Sequence, residues 1–477
     1  MRYFYNTETK YLSECKNGAF IATVGQYRKA IIDPIGRISD DEYYEIEPRH
    51  DGYFTVRKNY KSESLMDRNG NIIYADAKDI DLFTDDEIAL VDKLDGTKRW
   101  ITKTGFEFGS EYKDIGCFTG GYGLVQNDDD TWSYVDRNLQ VVSGKYEKAA
   151  PFFHGDFAWV SQNGKKYVIN KKFEVLSGPY DSILWIEEDG IVVTRKETEK
   201  DDPLKYAYFT AQGKQIGPNF KMIHGFENGF SRVDTGEGYN FVDKQGNLIC
   251  PRNYIYAQNF GKNYAVVGGF DENGEHTFTF VGKDGKEFGG WHPVVSGESD
   301  AGVGFIYHRA KNYYVDEKGK VISKGFKNAH LFHEGMTYVE SSKGKYQFMN
   351  EKFELVGEEY DKASYFSEGW AVVKNGEVED AVNKKGLKLS QISQIAEKIE
   401  QNPIVVLNLP KEVSEDKETS LNLANFAHDV LSYLIEYGGF DDLQKQQFEA
   451  DRNSVKMLIM KIKAEKSNKQ EFEAQKI

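Results

Sequence analysis

Phe332-His333-Glu334-Gly335-Met336-Thr337-Tyr338-Val339 is echoed about 34 residues later by Phe366-Ser367-Glu368-Gly369-Trp370-Ala371-Val372-Val373, and this phrase decides the architecture. Further copies stand at Phe118/Gly121/Val125, Phe153/Gly155/Val160, Phe226/Gly229/Val233 and Phe260/Asn263/Val267. Anchored on it, units begin near Gly18, Gly52, Asp86, Gly121, Gly155, Gly190, Gly229, Asn263, Gly302, Gly335 and Gly369. A fixed period of this size marks a repeat array, in which each unit buries its apolar face against its neighbours. The units from Gly190 and Asn263 are longer, through the polar insertions Lys196 to Pro203 and Gly269 to His276, which read as extended hairpin loops.

Inside a unit the pattern is strand, turn, strand. From Gly155, the run Asp156 to Ser161 is one strand, Asn163-Gly164 turns the chain, and Lys166 to Asn170 is the next. An Asn-Gly pair between strand-like runs is a strong hairpin signal, and similar turns fall at Asn69-Gly70, Asp95-Gly96, Gln245-Gly246, Asp284-Gly285 and Lys318-Gly319. The second strand carries phrases such as Tyr134-Val135-Asp136 and Tyr314-Val315-Asp316, and an aromatic with a charged follower, as in Tyr180-Asp181 and Tyr360-Asp361, leads to the next unit. Composition agrees, because 30 Tyr, 31 Phe and 45 Gly against 10 Pro suit pleated sheets with tight turns. The expected fold is an all-β repeat array of hairpin units, either an open β-solenoid or a propeller-like ring. Eleven units exceed the roughly 4 to 8 blades of ordinary propellers, so an open spiral is at least as strong an expectation as closure.

The phrasing of Gly-Ala-Val, Tyr-Val-Asp, Gly-Lys and Tyr-Asp resembles the WG-repeat (KWG) family over about residues 10 to 389, best in the units 155–188 and 335–368. The name-giving pair is absent: Trp132-Ser133, Lys166-Tyr167 and Gly238-Tyr239 stand nearest to it. The resemblance implies a β-rich repeat body with no catalytic residues of its own that serves in binding.

Residues 1–389 form the expected repeat domain and 390–477 a helical segment, since near Ser390 Gly and Tyr give way to Lys, Glu, Gln and Leu. Ile392, Ile395, Ala396 and Ile399 share one helix face, ended by Asn402-Pro403. Ser420 caps a second helix with the stripe Leu423, Phe426, Ala427, Val430, Leu431 and Leu434, stopped at Gly438-Gly439. A third runs from Asp441 to about Lys466 with Val455, Leu458, Ile459 and Ile462 on its apolar side. Two such helices leave apolar flanks that must dock on the last repeats, a second copy or a partner, so Leu431 and Leu434 are expected contact residues and self-association through these helices is one expectation. Among aromatics, those that recur in phase, such as Trp159, Tyr314 and Trp370, read as core between units, whereas the two inserted loops, Lys196 to Pro203 and Gly269 to His276, together with Trp185 and Trp291 break the phase and are the binding candidates.

A net charge of −15 opposes nucleic-acid binding. Three cysteines, at 15, 117 and 250, fit a reducing compartment, and without an apolar leader or a membrane-length apolar run a soluble cytoplasmic protein is expected. Asp92 to Thr97 and Asp128-Asp129-Asp130 read as hairpin turns rather than a phosphotransfer or calcium loop. His330 and His333 lack a third ligand nearby, His292 to Ser299 lacks a nucleophile elbow, and Cys250 reads as a buried thiol. No catalytic, cofactor-binding or metal-binding residues are assigned. The expected function is a non-enzymatic scaffold for a protein partner; the alternative is a ligand- or peptide-binding sensor whose helical tail acts as effector or oligomerisation element.

Overall fold

The structure is a computed structural model that describes residues 2–6, 9–25, 27–110, 112–152, 155–196, 204–299, 301–341 and 343–401, with individual helical positions between 425 and 460. Among the described residues, antiparallel strands pair into ten small sheets in near-sequential order. Most units own a sheet of three or four strands, as in Lys148–Ala149, Phe157–Gln162, Lys165–Asn170 and Val175–Tyr180. The second and third units instead share the strand Ile72–Ile80, whose nine residues reach both, and so merge into one seven-stranded sheet.

Why apolar residues come in pairs follows from the pleat. Adjacent side chains on a strand point to opposite faces, and in these sheets both faces are covered, one by the preceding unit and one by the following unit. Val125 packs toward the third unit and Leu124 toward the fifth; Ile169 faces the fourth and Val168 the sixth. Val315 and Tyr314 divide in the same way. Among the described residues the buried ones therefore form eleven clusters, each shared by two neighbouring units. The recurring Asp or Asn after the second strand closes its turn by accepting the N–H groups two and four residues on, as Asp136 does from Asn138 and Gln140, both at 2.9 Å.

The eleventh cluster joins the last unit to the first. Trp370 and Ala381 pack with Phe20, Ala22 and Ala30, and the Phe20 and Trp370 rings meet edge-on at 5.5 Å. Backbone joints repeat the pattern. The Glu334 carboxylate accepts the N–H groups of Glu368 (2.6 Å) and Gly369 (2.8 Å), and that of Glu368 accepts Asn17 (2.8 Å) and Gly18 (2.7 Å) across the seam. The array is thus a closed ring, which excludes the open spiral. An open array would leave its two end faces wet, and here they cover each other.

The strands give way to helix α1 (Leu389–Gln401), whose start is held by the Asp380 carboxylate accepting the Ser390 N–H at 3.1 Å and its hydroxyl. Leu389, Ile392 and Ala396 enter the closing cluster, as do Leu431, Phe448 and Val455 from beyond α1. The described positions of the helical segment thus clasp the seam.

Candidate interaction surface

Among the described residues, the unit from Asn263 carries the longest hairpin with full pairing, Tyr264–Phe270 against His276–Gly282, in register from Tyr264↔Gly282 to Phe270↔His276. This is the insertion at 269–276, built as an extension of an ordinary hairpin. Its inner half is core: Tyr264, Ala265, Val266 and Val267 are buried. Its outer half leaves the core, and there Phe270 is 58% exposed.

Two glycines flatten this outer half. A Cβ on Gly268 would lie 3.0 Å from the Phe278 ring and 3.1 Å from Tyr256, and one on Gly269 would lie 3.2 Å from the Trp291 ring. Because successive residues face opposite sides, Tyr256 and Phe278 cross the strand on one face, edge to face at 5.6 Å, while Trp291 lies over the other. The Phe270 and His276 rings cover the end at 4.7 Å. Trp291 is held in place: its Nε1 donates to Glu287 at 3.2 Å, and the Arg252 guanidinium, 2.6 Å from Glu287, stands 5.3 Å above its ring. Burial pulls the Arg252 pKa down, but Glu287 more than offsets this and raises it. Tyr254, which donates to the same carboxylate at 2.9 Å, is raised by burial and then by Glu287.

The surface continues into the next unit, where Val294 pairs with Tyr307 and the His292 and His308 rings stand 6.2 Å apart. Val294 and Tyr307 are both exposed. An apron of exposed aromatic and aliphatic side chains therefore spans two units. It contains no array of nucleophile, base and oxyanion donor; its chemistry is apolar contact with ring edges and a few polar handles.

Of the residues singled out from sequence, Trp291 belongs to this apron and Trp185 does not. Trp185 is half-buried against the core between the sixth and seventh units and donates to Glu187 at 2.8 Å; a full sheet separates it from Trp291. Leu431 is fully buried in the closing cluster, so it offers no surface. Leu434 and residues 197–203 of the first insertion lie outside the described residues. His330 stacks on Tyr338 at 4.1 Å and the His333 ring meets Tyr365 at a tilt, 4.2 Å away, in a half-buried aromatic group. Burial lowers the His330 pKa. Among the described residues no group of three or more His, Cys, Asp or Glu has metal-holding geometry. No helix there is long and apolar enough to cross a membrane. Cys250 is buried and free, its thiol pushed up to about 12 by burial and by Glu287. Sequence reasoning reached Phe270 through the inserted loop 269–276 and missed Tyr256, Phe278 and Tyr307; the usable signal was Gly268-Gly269 at the start of that insertion, since paired glycines inside a strand mark close approach by other groups.

The family described as WG containing repeat matches residues 132–165 and 348–378, identifying two WG-type repeats in the chain. Among solved structures, similarity is found to a eukaryotic initiation factor, with 12% identity, 68% of this chain and 89% of that chain covered, and a TM-score of 0.34. It is found also to BamB from Moraxella catarrhalis, with 10% identity, coverage of 60% and 94%, and a TM-score of 0.26. The WD40 beta propeller domain of Doa1 matches with 10% identity, coverage of 50% and 93%, and a TM-score of 0.23. None of the curated proteins matches the chain.

Proposed function

We propose that the protein is a non-enzymatic β-ring scaffold that holds another protein against the apron formed by the units from Asn263 and Gly302. The observation that carries this reading is the projecting hairpin, which exposes aromatic rings on both faces although the rest of its unit is packed on both sides. Exposed aromatic area of this kind is a solvation cost in the free chain and a source of affinity once covered. Rigid rings on a fully paired hairpin lose little conformational entropy on binding. The absence of a built catalytic constellation in the described residues leaves binding as the work the surface is fitted for, and the three free cysteines suit a reducing, cytoplasmic setting.

A second reading rests on a separate feature. A cleft of about 640 Å³ between the first and second units is lined by Asp33, Arg37, Tyr43, Arg68 and Asn69, with Lys445 of the helical segment at its edge. A small polar ligand there would contact repeats and tail together, as a sensor requires. The apron is the better supported site, because the cleft is half open and its charges are of both signs.

The two readings separate in a pair of affinity captures, one with the wild-type chain and one with Phe270→Asp/Tyr307→Asp. Proteins retained by the wild type and lost by the variant support the apron. Identical captures from both baits reject it.

A further inference from the structure

We propose that the protein docked on the apron is a second copy of this chain, in an isologous dimer; this rests on the reading of the apron given above. The reason is the charge pattern at its two ends. The hairpin of the unit from Asn263 turns through Asp271, Glu272 and Glu275, and the hairpin of the following unit, Gly304–His308 against Lys311–Val315, turns at Arg309 beside Lys311. Both turns project on the same side, connected through the His292–His308 ring contact, so the apolar apron is bounded by an acidic tip and a basic tip.

Neither tip neutralises the other within the chain. Glu272, Glu275, Arg309 and Lys311 are exposed, and no ion pair joins them to each other or to another described residue. Many other cations of the ring are paired, as Lys145 is with Asp129 and Lys165 with Asp181. A surface whose ends carry opposite charge around an apolar centre is complementary to itself when rotated by half a turn: the acidic tip of one copy meets the basic tip of the other, and the aromatic centres meet on the axis. A basic or an acidic partner would satisfy one tip and confront the other with like charge. A second copy satisfies both.

The test is the mass of the full chain by sedimentation over a dilution series, for the wild type, Phe270→Asp, Glu272→Lys/Glu275→Lys, Arg309→Glu/Lys311→Glu, and all four charge reversals combined. The expected wild-type species is a dimer that dissociates on dilution and in high salt. Phe270→Asp and each single-tip reversal weaken it by about tenfold or more, and the combined reversal restores it, since the tips are again opposite in sign. Circular dichroism of each variant confirms that the ring is folded. A wild type that is monomeric at every concentration overturns the inference. So does a combined reversal that fails to restore association. If the monomeric wild type still captures a protein that Phe270→Asp loses, the apron reading survives and only the second copy is removed. A dimer that none of these variants disturbs overturns the self-docking inference, since association then runs through another face.

Discussion

One hydroxyl accounts for the tyrosine of the Tyr-Val-Asp phrase. Tyr134 donates to the Ala150 carbonyl at 2.6 Å, Tyr208 to His224 at 2.8 Å and Tyr314 to His330 at 2.7 Å, always sixteen residues ahead and at the entry of the following unit. Trp100 does the same with its Nε1 toward Gly116 at 2.7 Å. The ring fills the core between units while its polar end satisfies a carbonyl that the strands leave unpaired, and burial raises the Tyr134, Tyr208 and Tyr314 pKa values. Tyr134→Phe should therefore cost about 1 kcal/mol, read as a lower denaturant midpoint with unchanged slope; an unaltered midpoint would show that water replaces the hydroxyl freely. The joint carboxylates give a second prediction at this scale. Burial pulls the Glu334 pKa up, but the N–H of Gly369, Lys384 and the N–H of Glu368 outweigh it and leave it below its ordinary value. A carboxylate so depressed adds stability above the ordinary value of about 4.3, and that stability disappears as pH falls through the folded-state value. Melting temperature should fall on acidification below about pH 4.3, less steeply in Glu334→Gln, and equal slopes for the two proteins would remove Glu334 from the account.

At the scale of the hairpin, one element is divided between two roles. Val267 is fully buried between units, whereas Phe270, three residues along the same strand, has no core to fill. Val267→Ala should cost about 1–3 kcal/mol and Phe270→Ala less than about 0.5 kcal/mol, in paired denaturation curves. Comparable losses would mean that the outer half is packed and is not an arm. The same element shows what sequence can and cannot disclose. Its turn was legible, because a polar, Gly-containing insertion between strand runs reads as a hairpin loop, here closed by Asp271 accepting the N–H groups of Asn273 and Glu275, and so was its extra length. Which aromatics outside the insertion are exposed was not, since Tyr254 and Tyr256 look alike along the chain, yet the first is buried and the second exposed. Trp291 and the inserted loop that holds Phe270 were found by breaking the phase, and Tyr256, Phe278 and Tyr307 were not. Trp185 broke the phase equally and lies half-buried against the core, because breaking a repeat register reports irregularity rather than exposure. The sharing of Ile72–Ile80 by two units was hidden for a related reason: strand length is settled by pairing on both edges, and only one edge is encoded locally.

Closure belongs to the whole molecule. Each joint within the array links residues about one period apart, but the seam links Glu368 to Gly18 across nearly the whole repeat region, and no periodicity reveals whether the last unit returns to the first. What the two terminal faces share with the others is chemistry: the same carboxylate-to-backbone joint and the same two-sided burial. What they lack is the covalent connection that every other pair of neighbours has, so loop entropy opposes the seam more than any other joint. The clasp answers this, because α1 and the residues Leu431, Phe448 and Val455 add apolar burial at that one interface. Removing residues 402–477 should thus loosen the ring locally rather than uniformly. Hydrogen exchange is expected to accelerate in Phe20–Val24, Arg28–Ile32, Trp370–Asn375 and Val378–Asn383, with a lower melting temperature, while Phe157–Gln162 and Phe230–Asp234, on the far side of the ring, keep the protection of the full chain. Leu431→Asp in the full chain should produce the same regional pattern at full length. Acceleration spread evenly over all units would show that the ring opens as one cooperative body, with the seam no weaker than its other joints, and the clasp would then have lost its reason to exist.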